Sequence, residues 1–315
     1  MSKHLSKFKQ TSVGVLTALL LTSPLAAQAV KITDYNDVGN HWAASALTWA
    51  VDNNILVGKS ESRMAPNDYL TRAQLAAMID RLFGTYKNAD LSQYADTVPG
   101  SWYYDPVAQA VNMGTFTGYG QNRMGPNDFI SREQAIAALA RTICLSTGNS
   151  KVLTKFPDQN NVSAWACDAV SAMVERQYVV GSNTGNLNPK GNITRAEMAQ
   201  IMLGIFRSVH NSGELTGTCR NTVLVRGAAN IHDAVFEGDP ILANDLQDHK
   251  LGLNNVTVKG RRIVWSGSEI YINGKFKIVE VLTPQNKNSI KVNFDGLLIN
   301  DIPLKLAGIF HIIKF

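Results

Sequence analysis

Cysteine is scarce in this chain of 315 residues: Cys144, Cys167 and Cys219 are the whole complement. Three thiols cannot all pair within one chain, and no CxxC or Cys/His cluster has the spacing of a zinc site. Cys144 with Cys167 is one candidate bridge; the other reading makes all three small apolar fillers. Charge is sparse as well, at 17% of residues. No polybasic patch stands out, which argues against a nucleic-acid partner. A comfortable membrane span is missing too, and with it any expected transmembrane segment in the mature chain.

The one leader-like stretch lies at the start. Lys3, Lys7 and Lys9 precede the short apolar run "VGVLTALLLTSPLA", and "AQA" ending at Ala29 is a small-x-small cleavage site. Residues 1–29 are therefore expected to be a secretory signal without a lipoprotein cysteine. Its removal takes three of the 30 basic residues and leaves 27 against 25 acidic ones, so the basic pI belongs mostly to the leader. The full sequence is 45% hydrophobic, ample for packed cores.

The sequence does have repeats. Trp42, Trp102 and Trp165 each stand 30 residues before Arg72, Arg132 and Arg195, with Gly58, Gly118 and Gly181 always 16 residues after the tryptophan. Pro66, Pro126 and Pro189 sit six residues before the arginines, and Asp37, Asp96 and Asp158 five to seven before the tryptophans. Each unit reads as helix, glycine-containing loop, proline turn, helix. Thr71, Ser131 and Thr194 cap the second helix, with Gln74, Gln134 and Glu197 completing a capping box. The glycines fall where the first helix has ended, a place for positive φ or for close approach. Neither helix of a unit can bury its apolar face alone, so the three units are expected to pack around a shared centre.

The arginines pose a question. Each lies in the first turn of its second helix, where the helix dipole disfavours a cation. Unpaired N–H groups at a helix start favour anions, and a guanidinium beside them can hold a carboxylate in its fork. A nearby tryptophan adds a face on which sugar could stack, so an acidic saccharide is the ligand the residues suggest. Trp42, Trp102 and Trp165 belong either to the core or to a groove wall. Asp37, Asp96 and Asp158 either cap the first helix or line the ligand site.

The run of Asp37, Trp42, Gly58, Pro66 and "TRAQ", repeated as "SREQ" and "TRAE", resembles three tandem S-layer homology modules over about residues 33–208. The third copy lies nearest the family pattern; its Gly185 and Glu197 are replaced by Ser62 and Gln74 in the first copy and by Asn122 and Gln134 in the second. The resemblance implies a pseudo-threefold helical triplet at residues 33–84, 92–145 and 154–208 that holds an exported protein on the bacterial wall. It implies a secondary cell-wall polysaccharide, commonly pyruvylated, or peptidoglycan as partner. Grooves between modules are the implied sites, with Arg72, Arg132 and Arg195 as anion contacts and no cofactor, metal or catalytic residue.

Past residue 208 the pattern changes. After an expected linker at 209–218, segments such as "NTVLVRG", "NNVTVKG" and "SEIYING" are rich in Val and Ile and punctuated by Gly and Asn. They predict a small all-β domain at 219–315, an antiparallel sandwich or barrel, with a hairpin turn at Asn273–Gly274. This part carries neither GxSxG nor HExxH. A non-enzymatic anchor that displays the β part, with other envelope proteins as its partners, is one expectation. A wall-anchored enzyme with its activity in the β part is the alternative.

Overall fold

The computed structural model describes residues 31–84, 88–145, 147–227, 229–243 and 251–259, and the strand segments 263–264, 270–276, 280–282, 292–294 and 305–307. The leader expected at 1–29 lies outside the described residues. Residues 31–315 form a single compact unit.

Its first part is helical. The repeats supply α1 (Ala44–Asp52) and α2 (Arg72–Phe83), α3 (Tyr104–Asn112) and α4 (Arg132–Thr142), and α5 (Cys167–Glu175) and α6 (Arg195–Ile205). The second helix of each pair begins with the expected capping box. Thr71 Oγ1 accepts from Gln74 N at 3.2 Å while Gln74 Oε1 accepts from Thr71 N at 3.0 Å, and Ser131/Gln134 and Thr194/Glu197 repeat the exchange.

The helices pack in a ring. α2 lies against α3, α4 against α5, and α6 closes back on α1. At the centre the main chain makes a triangle: Ile130 N donates to Leu70 O (3.0 Å), Leu70 N to Ile193 O (3.0 Å), and Ile193 N to Ile130 O (3.1 Å). These three residues immediately precede the caps, so the caps are held round a pseudo-threefold axis. A continuous core, including Leu47, Leu75, Ile79, Ile136, Met173 and Met198, fills the ring. Burying each helix against the next module supplies the apolar contact that no single pair could make for itself.

Where a linker was expected at 209–218, the chain instead forms β1 (Ser208–His210) and β2 (Gly213–Cys219). Then follow β3 (Val223–Val225), β4 (Ala229–Phe236), β5 (Pro240–Leu242), β6 (Leu251–Val258), β7 (Ile263–Val264), β8 (Ile270–Phe276), β9 (Glu280–Leu282), β10 (Val292–Phe294) and β11 (Lys305–Ala307). Among the described residues the odd strands make one sheet and the even strands another, and every pair is parallel.

This corrects the antiparallel expectation. The chain winds as a coil, and the strand in one sheet is itself the crossover between neighbours in the other. Parallel strands ordinarily need a crossover of a dozen or more residues, usually a helix; here crossovers of about that length carry a short strand of the other sheet in place of the helix. Asn273 and Gly274 are not a hairpin turn but lie within β8, where Asn273 is in register with Asn254 and His232, and Gly274 with Val256 and Ala234. Asn and Gly mark both hairpins and ladders, and composition does not separate the two.

Candidate functional site

Each junction between modules is built from the start of one second helix and the loop of the next module. Arg72 N and Ala73 N donate to Asp128 O and Pro126 O, both at 2.9 Å. Arg132 N and Glu133 N reach Gly191 O and Pro189 O, and Arg195 N and Ala196 N reach Asp68 O and Pro66 O. The helix-start N–H groups expected to greet an anion are thus already bonded, to the proline turn of the neighbouring module. Whatever draws an anion here must be the side chains.

The arginines are buried, with 6%, 8% and 4% of their surface exposed for Arg72, Arg132 and Arg195. Arg72 Nε donates to Met124 O (2.9 Å) and Nη2 to Thr117 O (2.8 Å), with the guanidinium 4.4 Å from the centre of the Tyr119 ring. Arg195 repeats this on Met64 O (2.9 Å) and Val57 O (2.6 Å). Carbonyl dipoles of the next module therefore meet the charge that the helix start disfavours. Burial pulls all three guanidinium pKa values below the ordinary arginine range.

Arg132 differs. Its Nη2 reaches Val180 O (3.1 Å), Nη1 lies 3.3 Å from Glu197 Oε1, and its buried Nε has no hydrogen-bond partner. Two substitutions accompany the change: Leu187 stands where the other copies have Met64 and Met124, and Glu197 where they have Gln74 and Gln134. Among the described residues Arg72 and Arg195 have no carboxylate within ion-pair distance.

The tryptophans lie on the surface, with Trp42 64%, Trp102 61% and Trp165 55% exposed. Two grooves gather the repeat residues. One, of about 350 Å³, brings together Arg72 of the first module, Gly118 and Tyr119 of the second and Trp165 of the third. Another, of about 760 Å³, brings together Arg132, Gly181 and Trp42. Each therefore draws its arginine, loop glycine and tryptophan from three different modules.

The aspartates neither cap the first helices nor line these two grooves. Asp37 accepts from Met64 N (2.9 Å) and Ala65 N (2.8 Å), Asp96 from Met124 N and Gly125 N, and Asp158 from Leu187 N and Asn188 N. Ala65, Gly125 and Asn188 all have positive φ, so each carboxylate holds a left-handed turn beside the carbonyl or residue that the incoming arginine approaches. The glycines also have a different basis from positive φ. The left-handed residues after the first helices are Asn54, Gly114 and Gln177, four positions earlier. A Cβ on Gly58 would sit 2.2 Å from Tyr35 Cε1, one on Gly118 2.5 Å from Tyr94 Cε1, and one on Gly181 2.9 Å from Phe156 Cε1.

Tyr35, Tyr94 and Phe156 were not singled out from the sequence, although each stands two residues before the repeat aspartate. Also unforeseen were Arg81 and Arg141, which donate to Ile55 O (3.4 Å) and Thr115 O (3.2 Å). Their shared offset of nine residues from Arg72 and Arg132 was the available signal. The candidate bridge between Cys144 and Cys167 does not form, and Cys219 is in no disulfide either.

The S-layer homology domain model matches residues 34–76, 93–136 and 155–199. The chain is 30% identical over 196 residues to exoglucanase XynX of Acetivibrio thermocellus, a match covering 61% of this chain and 18% of that protein. It is 24% identical over 288 residues to the surface-layer 125 kDa protein of Lysinibacillus sphaericus, covering 89% and 24%, and 26% identical over 200 residues to S-layer protein sap of Bacillus anthracis, covering 62% and 24%. The chain thus spans a quarter or less of the length of these relatives. Among the described residues no helix is long and apolar enough to cross a membrane.

Proposed function

Given that the chain carries three tandem S-layer homology domains, we propose that residues 33–208 anchor an exported protein non-covalently to the bacterial cell wall. The ligand is an acidic wall polymer, a pyruvylated secondary polysaccharide in the first instance and peptidoglycan in the second. Surface-layer proteins among the relatives support the anchoring role. Module boundaries at 33–84, 92–145 and 154–208 follow the repeat.

The observation that carries this reading is the groove at Arg72. It holds a desolvated guanidinium with no carboxylate in ion-pair reach among the described residues, next to Arg141, and opposite the exposed ring of Trp165. A sugar carboxylate would compensate the cations while the sugar face stacks on the indole. The cyclic order of the modules assigns Trp102 and Gly58 to the equivalent site at Arg195. Retention would then rest on several modest contacts acting together.

Co-sedimentation with purified sacculi, before and after acid stripping of their secondary polysaccharide, tests the proposal. Binding lost on stripping identifies the polysaccharide; binding retained moves the ligand to peptidoglycan; no binding to either removes the anchoring role. The second reading, an anchored enzyme with its activity in the β part, draws on the exoglucanase among the relatives. Turnover of a glycan by residues 219–315 within the intact protein would favour it. In the first reading the β part is a display module that contacts other envelope proteins.

A further inference from the structure

The third module breaks the repeat at one position with a structural consequence. Arg81 on α2 and Arg141 on α4 each bridge from the second helix to the loop of their own module, at Ile55 and Thr115. The same position on α6, nine residues after Arg195, is Gly204, and the loop residue corresponding to Ile55 and Thr115 is Tyr178. No side chain bridges helix and loop there, and a Cβ on Gly204 would itself lie 3.5 Å from Tyr178 O. A glycine inside a helix is itself unfavourable by about 1 kcal/mol against alanine, so its place here calls for a reason.

A third cavity, of about 550 Å³, lies beside Gly204, between the third module and the first turns of the β coil. It shares Gln177, Tyr178, Gly204 and Arg207 with the groove of Arg132, so the two spaces adjoin beside the position that carries a bridging arginine in the other modules. Its cationic side chains are Arg176, Arg207, Arg220 and Lys259, against Glu237 and Asp239. Arg176 pairs with Asp239 (3.3 Å) and Lys259 with Glu237 (3.4 Å). Arg207 and Arg220 are exposed and have no ion pair among the described residues. In the adjoining groove Arg132 bonds Val180 O and pairs with Glu197 while its buried Nε has no acceptor, and Trp42 offers an open ring.

We propose that the Arg132 groove and the junction cavity form one extended site for a run of several acidic sugars. Trp42 and Arg132 hold one end, and Arg207 and Arg220 hold carboxylates further along, on the β side of Gly204. The inference rests on the wall-polymer reading and adds to it that the β part takes a direct share in holding the glycan. A long cationic track also explains why Arg207 and Arg220 have no acidic partner: the polymer supplies it.

The test is calorimetric titration of the intact protein with wall polysaccharide fragments of one repeating unit and of several units, released from sacculi by mild acid. Two variants are compared with the wild type: the double variant Arg207→Ala/Arg220→Ala, and Gly204→Arg, which restores the bridging residue of the other modules and so closes the passage. Circular dichroism checks that both remain folded. The expected result is tighter binding of the long fragment by the wild type, with that gain reduced about five- to tenfold in each variant. Equal affinity of wild type and both variants for long fragments would overturn the extended site and leave the anchor reading standing. So would a wild type that binds long and short fragments alike. A wild type that binds neither fragment would overturn the polysaccharide reading, and the extended site with it.

Discussion

Arg195 Nε donates to the main-chain carbonyl of Met64 at 2.9 Å, across 131 residues of chain, and so ties the last module to the first. The same side chain bonds Val57 O, and it is 4% exposed. An arginine read as a ligand contact is thus also the clasp of the ring.

Arg195→Ala is therefore expected to destabilise the protein, by about 3 kcal/mol, through loss of two hydrogen bonds from a charged donor and exposure of their acceptors as unpaired groups. Arg195→Lys should restore only part of this, because one ammonium cannot reproduce the fork that meets Met64 O and Val57 O together. Urea denaturation of the three proteins measures both effects. Wild-type stability in Arg195→Ala would show that the clasp contributes nothing.

Gly58→Ala is expected to lower stability by about 2 kcal/mol, since overpacking forces the backbone to shift. Its Cβ would meet Tyr35 Cε1 at 2.2 Å and the carbonyl oxygens of Ser60 and Arg63 at 2.7 and 2.9 Å. Gly39→Ala, with nothing within 4 Å of the added carbon, is the control. Thermal melts of the pair should separate them clearly.

Trp165→Ala separates binding from folding. An exposed side chain away from the core is expected to change stability by less than about 0.5 kcal/mol. Sedimentation with sacculi should nevertheless weaken by about tenfold, as for an aromatic anchor at the centre of a site. Unchanged sedimentation would remove the tryptophan from the groove's function.

Arg226 joins the two parts of the molecule. It donates to Asn53 O (2.7 Å), Arg81 O (2.8 Å) and Asn211 Oδ1 (2.5 Å). Arg226→Met should let the β coil open independently of the helical ring, seen as faster proteolysis between residues 207 and 227. A cleavage pattern like that of the wild type would refute this.

His232 provides a test by pH. Its hydrogen bond to Asp233, and then its contact with Glu214, raise its pKa above the ordinary histidine value. The fold therefore favours the imidazolium: its contribution is full below the unfolded-state pKa and is lost as pH rises through the folded-state value. The His232 signal followed by NMR should titrate above the ordinary histidine value, and Asp233→Asn should bring its midpoint down.

Much of the helical ring follows from local chemistry. Thr71 with Gln74, and its two counterparts, specify where a helix starts because the reciprocal bonds lie within four residues. The fixed distance from Trp42 to Arg72, kept at Trp102 and Trp165, specifies three equivalent units. The strands past residue 208 are legible as strands, since β-branched content is a local property.

What those units do to one another was decided only in three dimensions. The role of Asp37 depends on amides 27 and 28 residues away, and that of Gly58 on a tyrosine ring packed over it, contacts that no local window contains. Sequence alone determined the caps and the repeat. Tertiary structure decided that Arg72 and Arg195 would bond neighbouring modules, that each groove would draw on all three, and that the β strands would run parallel, because each of these depends on which distant backbone groups are left to pair.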